Sequence, residues 1–460
     1  QELELKECSF LSASEVDVLC DSIKGSWQLA KLDITVLQAQ WNDMMGVTIG
    51  KLFLKLPNLM YLVISNGCKE SVTALSHAVK YLGELKKLQK LVIRVKMSDD
   101  EAKTLAISLQ HSECLKEFRL SNCGISDTGC TSIAEAFVNM RSLKTLNLSS
   151  NQISVSGAKS FAAHVDRLSC LEDLDLSGNK LSDDGCIVIA EAFHNMRSIK
   201  CLHLNHNNIS VSGAKSFAAH VGHLSCLEDL NLRYNKLSDD GCIVIAEAFH
   251  KMKSVHYLDL SDNDISDRGG RVLMGKISVL THMHMIDLHG NMMTDAVAQL
   301  VVDTMNIKGM KRLWNVDLNF NCFSSEGVEI LKQHRRIWSS GEHPERYLHR
   351  HDPETGTPEL FPKGTVSHTS SLSKLSAAYQ TQSEPSSLYP TLSELSSPYD
   401  TLSVDSRYEM SKVESDIETV GSGSVHKEAE VVETSKETER RRGAEGKVPK
   451  TAGKKKCNVM

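Results

Sequence analysis

The residues best suited to chemistry in this sequence form a row, not a catalytic set. Asp175, His203, Asn231, Asp259 and Asp287 recur every 28 residues, and Asp317 follows after 30. Each sits between two aliphatic residues, the pattern of a strand with one apolar and one polar face. Close to them in sequence lie Arg233, Tyr234, His256, Tyr257, His284, His289, Trp314 and Phe320. No spacing joins a nucleophile to a base or pairs two carboxylates for acid–base work. Carboxylates, imidazoles and aromatic rings displayed on one face suit non-covalent recognition of a protein surface instead. His256 and His284 share one repeat position, as do Asp259 and Asp287, so each pair is expected to be adjacent across strands. Two histidines without a third and fourth ligand are a weak metal signal. The expectation is therefore no catalytic residue, no cofactor and no metal.

A second group of reactive positions lies in the last hundred residues. Cys457-Asn458-Val459-Met460 fits the C-a-a-X prenylation pattern, with Asn458 departing from the usual aliphatic. Upstream lie Arg440, Arg441, Arg442, Lys447, Lys450, Lys454, Lys455 and Lys456, against the single acid Glu445. One lipid chain binds a membrane marginally, and a polybasic patch adds attraction to an anionic inner leaflet. The combination resembles the tails of Ras-like GTPases. Tyr389-Pro390-Thr391-Leu392 and Tyr399-Asp400-Thr401-Leu402 resemble the paired tyrosines of immunoreceptor activation motifs, which would make Tyr389 and Tyr399 candidate phosphotyrosines for SH2-domain proteins. Tyr379 and Tyr408 continue nearly the same ten-residue step, so local duplication generates the spacing equally well.

What must position the first row is an internal repeat. From Leu115 the pattern L-x-x-L-x-L-x-x-N/C-x-L recurs eight times, beginning at Leu115, Leu143, Leu171, Ile199, Leu227, Val255, Met283 and Leu313. Weaker copies start at Leu29, Leu59 and Leu88, and Leu3, Leu5 and Cys8 look like the remnant of another. The L-x-L core predicts a short strand. The Asn at the ninth position predicts a side chain bonded to backbone where the chain turns. A helix follows, for which Ser182, Asp183 and Asp184 are the expected cap before Ile187 and Ile189. One strand and one helix cannot bury their own apolar face, so neighbouring units stack. The expected fold is α/β, a leucine-rich-repeat horseshoe solenoid of about a dozen strand–helix units over residues 1–340, with the polar row on its concave face. A second period of 56 residues lies above the first: Ile153–Val165 returns at Ile209–Val221, and Cys170–Phe193 at Cys226–Phe249. It places Cys186 and Cys242 in alternate units, too far apart to bridge.

The 28-residue unit, in blocks such as LEDLDLSGNKLSDDG and LKTLNLSSNQIS, resembles the ribonuclease-inhibitor type of leucine-rich repeat, and most of all the repeats of NACHT-containing, NOD-like innate immune receptors. The resemblance implies a ligand-sensing or regulatory module in intracellular signalling, and an upstream nucleotide-binding module before Gln1. The nearest phosphate-loop candidate, Gly46 to Leu52, has one residue too few between its glycines and lacks the Ser/Thr. The same scaffold hosts GTPase activators and ribonuclease inhibitors, which stand as alternatives. An inhibitor's face would be acidic throughout, whereas Arg119, Lys144, Lys200 and Arg233 interrupt this one.

Composition narrows the classes further. The chain has 460 residues, 41% hydrophobic and 5% aromatic, with formal net charge -6. The acidic balance argues against a general nucleic-acid binder. Its 13 cysteines are scattered singly with no CxxC pair, which favours reduced thiols in a cytoplasmic setting. Residues 341–460 are rich in Ser, Thr, Glu and Lys without apolar period, and are expected to be disordered. The expected protein is a recognition module, not an enzyme. It binds a protein ligand on the concave face and is tethered to the cytoplasmic face of the plasma membrane through Cys457.

Overall fold

The computed structural model describes residues 3–10, 13–22, 29–36, 42–66, 75–307, 312–334 and 336–338. Thirteen strands, β1 (Leu3–Phe10) to β13 (Ile337–Trp338), form one sheet in chain order. Every neighbouring pair is parallel. Twelve α-helices alternate with them among the described residues, from α1 (Ala13–Ser22) to α12 (Ser325–Lys332). This is the expected leucine-rich-repeat solenoid. The Leu3–Leu5–Cys8 remnant is a true strand, with Leu3, Leu5 and Cys8 beside Leu29, Leu32 and Ile34.

Each repeat turns its first three pattern leucines inward. Leu171, Leu174 and Leu176 are all at most 1% exposed, and the same holds in the next unit for Ile199, Leu202 and Leu204. Burying each such side chain contributes about 1.5–3 kcal/mol. The opposite face of the strands, turned away from the helices, carries the polar row.

The ninth-position asparagines do what their spacing predicts, and more. Asn235 Nδ2 donates to the carbonyls of Leu204 (3.1 Å), Leu232 (2.9 Å) and Arg233 (3.3 Å). Its Oδ1 accepts the N–H of Asn207 (3.1 Å) and Ile209 (2.9 Å) from the preceding unit. Asn151, Asn179, Asn207, Asn263 and Asn291 repeat the arrangement and are at most 6% exposed. Every ladder asparagine thus stitches two units together. In the unit where Cys123 replaces Asn, its Sγ points at the Ile93 carbonyl 3.0 Å away.

Helix capping departs from the expectation. Ser182 is not a cap: α7 (Ser182–Glu191) starts on it with φ +55°, and no side-chain cap bond is made. Asp183 caps the next unit's helix instead. Its Oδ1 accepts the N–H of Ser210 (2.7 Å) and Gly213 (3.0 Å), at the start of α8 (Val211–His220), and its Oδ2 accepts the Ser210 hydroxyl. Asp127 serves α6 (Val155–His164) and Asp239 serves α10 (Asp267–Lys276) in the same way. The equivalent residues of the units between are Val155 and Val211, which accept nothing, so α7 and α9 (Ser238–Glu247) lack this support. Between Asp127 and Asp239 the 56-residue period is therefore a capping alternation; beyond it Asp267 and Asp295, in consecutive units, accept the Thr294 and Ser324 N–H groups in the same way. The alternation also explains Gly213, where an added Cβ would stand 2.9 Å from Asp183 Oδ1 and 2.7 Å from Ile209.

Two further expectations fall into place. Residues Gly46 to Leu52 lie inside α2 (Asp43–Leu54), so they form no phosphate loop. Cys186 and Cys242 are free and buried; burial pushes both thiols up to about 12, which keeps them protonated and unreactive.

Candidate functional site on the inner strand face

In-register parallel pairing turns the third and fifth residues of each repeat into two rows across the inner face. The outer segments of the rows come from β7 (Asp173–Asp175), β8 (Cys201–His203), β9 (Asp229–Asn231), β10 (Tyr257–Asp259), β11 (Met285–Asp287) and β12 (Asn315–Asp317). The fifth-position row reads Asp175, His203, Asn231, Asp259, Asp287, Asp317, each beside the next, as the sequence implied. The third-position row reads Asp173, Cys201, Asp229, Tyr257, Met285, Asn315. Asp173 and Asp229 were not picked out from sequence. Their signal was present in the 56-residue period, which gives both the same context in LEDLDL and LEDLNL.

The face is less open than expected. Asp259 is 3% exposed and Asp287 7%, where free solvent contact was anticipated. The reason is local: the residue two places on folds back over each carboxylate. Ser261 donates both its N–H (3.0 Å) and its hydroxyl (2.6 Å) to Asp259 Oδ1, while His289 donates its N–H (3.0 Å) to Asp287 Oδ1. Ser177 treats Asp175 alike, and Asn147 Nδ2 reaches Asp175 Oδ2 at 2.7 Å.

Burial and crowding push several of these acids toward the protonated form. Burial, then the charges of Asp259 and Asp173, push Asp229 up to about 8, and its Oδ1 has no hydrogen-bond partner among the described residues. Burial raises Asp173 to about 7, with Arg119 opposing and Asp175 and Glu117 adding. Asp259 rises to about 6 through burial and the Asp287 charge. Asp317 is raised by burial and by Asp287. The Tyr257 hydroxyl, 3.4 Å from Asp259 Oδ2, is pushed well above its ordinary value by burial and the surrounding acids.

Cations compensate only part of the row. His289 Nδ1 lies 2.7 Å from Asp287 Oδ1 and its Nε2 3.3 Å from Asp262 Oδ2, while Arg233 Nε donates to the same Asp262 oxygen at 3.0 Å. Burial works against a charged ring, but the bonds to Asp262 and Asp287 outweigh it and push His289 up to about 10. Arg233, from the expected face, and His289 are thus joined through Asp262, a residue the sequence did not single out. At the rim where the strands begin, the His256 and His284 rings lie 4.8 Å apart as predicted, with His282 6.1 Å from His256. Burial lowers His256 and His284, which keeps both neutral near neutral pH. Trp314 continues this rim and is 45% exposed; Tyr234 (48%) stacks on His206 at 4.3 Å, and Phe320 is 58% exposed. His203 and Asn231 are half-buried between the acidic segments.

Cys457, the basic residues 440–456, Tyr389 and Tyr399 lie outside the described residues. None of the described helices is long and apolar enough to cross a membrane.

Residues 115–181 match a family model described as leucine rich repeat. A second leucine-rich-repeat model matches residues 195–218, 223–246 and 251–274. No curated protein matches. Among solved structures, an internalin (inlF) from Listeria monocytogenes is 18% identical, covering 72% of this chain and 94% of its own, with TM-score 0.42. TLR13, from a complex with the RNA ssRNA13, is 16% identical, with TM-score 0.38; the match covers 65% of this chain and 40% of TLR13. The matched repeats and the parallel strand–helix array identify a leucine-rich-repeat scaffold, whose general use is interaction and recognition.

Proposed function

We propose that this chain is a recognition module that holds a protein ligand against the inner strand face between β7 and β12. The observation that carries this is the buried acid row, where burial and crowding raise Asp173, Asp229 and Asp259 and the Asp229 Oδ1 lacks any partner among the described residues. Buried polar groups are normally satisfied, so each exception calls for a partner from outside the chain or a cost carried within it. Exposed Tyr234, Trp314 and Phe320 flank the row and supply the aromatic anchors that dominate interface energies. The reading extends to a sensor or regulator in innate-immune-type intracellular signalling, supported by the likeness of its repeats to those of NOD-like receptors. In it the basic C-a-a-X terminus tethers the module to the cytoplasmic leaflet, and phosphorylated Tyr389 and Tyr399 recruit SH2 domains.

The test is photocrosslinking of the full chain in cells, with the crosslinker placed at Asn231 on the inner face or at Lys215 on the exposed side of α8. A discrete adduct from Asn231, lost on Trp314→Ala and missing from Lys215, is expected. Adducts from Lys215 alone, or equally from both, would move the ligand to the helical side and end the proposal. Tethering has its own test: Cys457→Ser should shift the protein from the membrane to the soluble fraction.

A further inference from the structure

The inner face changes character at its C-terminal end. Asp287, His289 and Asp317 each bring one ligand-type atom within 4.8 Å of the others. Asp287 and Asp317 are cross-strand neighbours on β11 and β12, and His289 rises from the turn just after β11. Acids grouped on a surface are common, so the cluster alone decides nothing. What distinguishes it is a pair of buried side-chain amides with unpartnered atoms among the described residues.

Asn319 is 5% exposed. Its Nδ2 donates to Asp317 Oδ1 at 2.8 Å, which fixes the carboxamide against the cluster, yet its Oδ1 is buried with no partner. Asn315 is 0% exposed, and among the described residues both its Oδ1 and its Nδ2 lack a partner. It shares the strand face of Asp317, two residues earlier. Burying an amide without its hydrogen bonds costs roughly 1–3 kcal/mol. The orphaned Asn319 oxygen next to two carboxylates and an imidazole, with Asn315 two residues back on the same strand face, gives a set of lone pairs without a cation.

We propose that Asp287, His289 and Asp317, completed by the side-chain oxygens of Asn319 and Asn315, form a binding site for one divalent cation of the zinc class. The donor set decides the class. Magnesium and calcium prefer all-oxygen shells, whereas an imidazole beside carboxylates suits zinc and its transition-metal neighbours. The ion takes the place of the proton on His289 Nδ1, which faces Asp287, while Nε2 keeps its bond to Asp262. Asp262 and Arg233 remain as the outer hydrogen-bonded shell that orients the ring. The site is distinct from the rim histidines His256 and His284, and it does not depend on the ligand proposed above.

Calorimetric titration of zinc chloride into the full chain at neutral pH tests it, alongside the thermal midpoint with and without the ion. The chain has 19 histidines, so weak surface binding is the background to exceed. One tight equivalent and a raised midpoint are expected. Asp317→Asn and His289→Gln should each weaken that equivalent at least about 10- to 100-fold, while His256→Gln with His284→Gln leaves it intact. Asn315→Ala breaks no hydrogen bond in the structure, so it keeps the test sound if Asp317→Asn does not fold. It too should weaken binding, about tenfold. The proposal is overturned if no tight equivalent appears, if Asp317→Asn or Asn315→Ala binds like the parent, or if the rim pair abolishes binding. A magnesium or calcium preference would overturn the assigned class.

Discussion

Two rows of aspartates run across this solenoid, and they are treated in opposite ways. Asp127, Asp183 and Asp239 sit at the helix starts, where each accepts two backbone N–H groups and a hydroxyl from the next unit. For Asp183 and Asp239 burial favours the neutral acid, but the serine bonds outweigh it and hold both below the usual carboxylate range. Asp173, Asp229 and Asp259 sit on the inner face, where burial and like charges raise them to about 7, 8 and 6. The same side chain is mortar in one row and a cost in the other. The difference is donor supply and depth: a helix N-terminus offers free N–H groups, whereas Asp229 Oδ1 finds no donor among the described residues, and the two bonds Asp259 takes from Ser261 do not outweigh its burial and the Asp287 charge.

The largest expected effect removes what both rows stand on. Asn235→Ala deletes five hydrogen bonds and leaves buried carbonyl and N–H groups of two units unpaired. A loss of about 3–5 kcal/mol is expected. Because units contact only their neighbours, denaturant unfolding should also split into two transitions around the fault. A single transition shifted by less than about 1 kcal/mol would show that the ladder is dispensable.

Next in size is Asp229→Asn, which should stabilise. In the unfolded chain this acid titrates near its ordinary value of about 3.9, and in the folded chain near 8. Between those values the unfolded state is ionised while the folded state holds a proton, so stability falls as pH rises across the window. The amide has no such slope. The variant should therefore gain on the parent from about pH 5 to pH 8, by about 2 kcal/mol at the upper end, after discounting the nominal 1.4 kcal/mol per unit for relaxation of the crowded row. A pH-independent difference in denaturation midpoint would mean that Asp229 is ionised and paired, removing the contrast between the rows.

How far the sequence disclosed these features follows from the range of each interaction. The strand face, the asparagine turns and the His256–His284 pair were legible because in-register stacking converts a sequence period directly into spatial adjacency. Burial of Asp259 and Asp287 was not, since it depends on how Ser261 and His289 fold back, which no period encodes. The cap row was misassigned to its own helix, because Ser182 and Asp183 satisfy every local rule for a cap. Only the positive φ at Ser182, and the stacking that brings Asp183 to Ser210, reveal the partner. Asn315 and Asn319 carry no sequence signal, as their distinction is the absence of partners in three dimensions.

The smallest effect is the most discriminating, because adjacent aspartates of identical local standing should part company. Asp183→Ala should cost about 1–2 kcal/mol through loss of the α8 cap, and Asp184→Ala, exposed one residue on, less than about 0.5 kcal/mol. If capping were local, Ser182 and both aspartates would share the effect and amide exchange would quicken in α7. With capping passed between units, exchange should instead quicken at Ser210 to Gly213, while the start of α7 is unchanged. The sign with pH is opposite to that of Asp229: the Asp183 contribution is full above about pH 4 and fades as acid protonates the cap. Val211→Asp, placing a carboxylate where the alternation lacks one, should recover less than about 0.5 kcal/mol, because the Ser238 and Gly241 N–H groups at the start of α9 already donate to the Asn263 and Leu237 carbonyls.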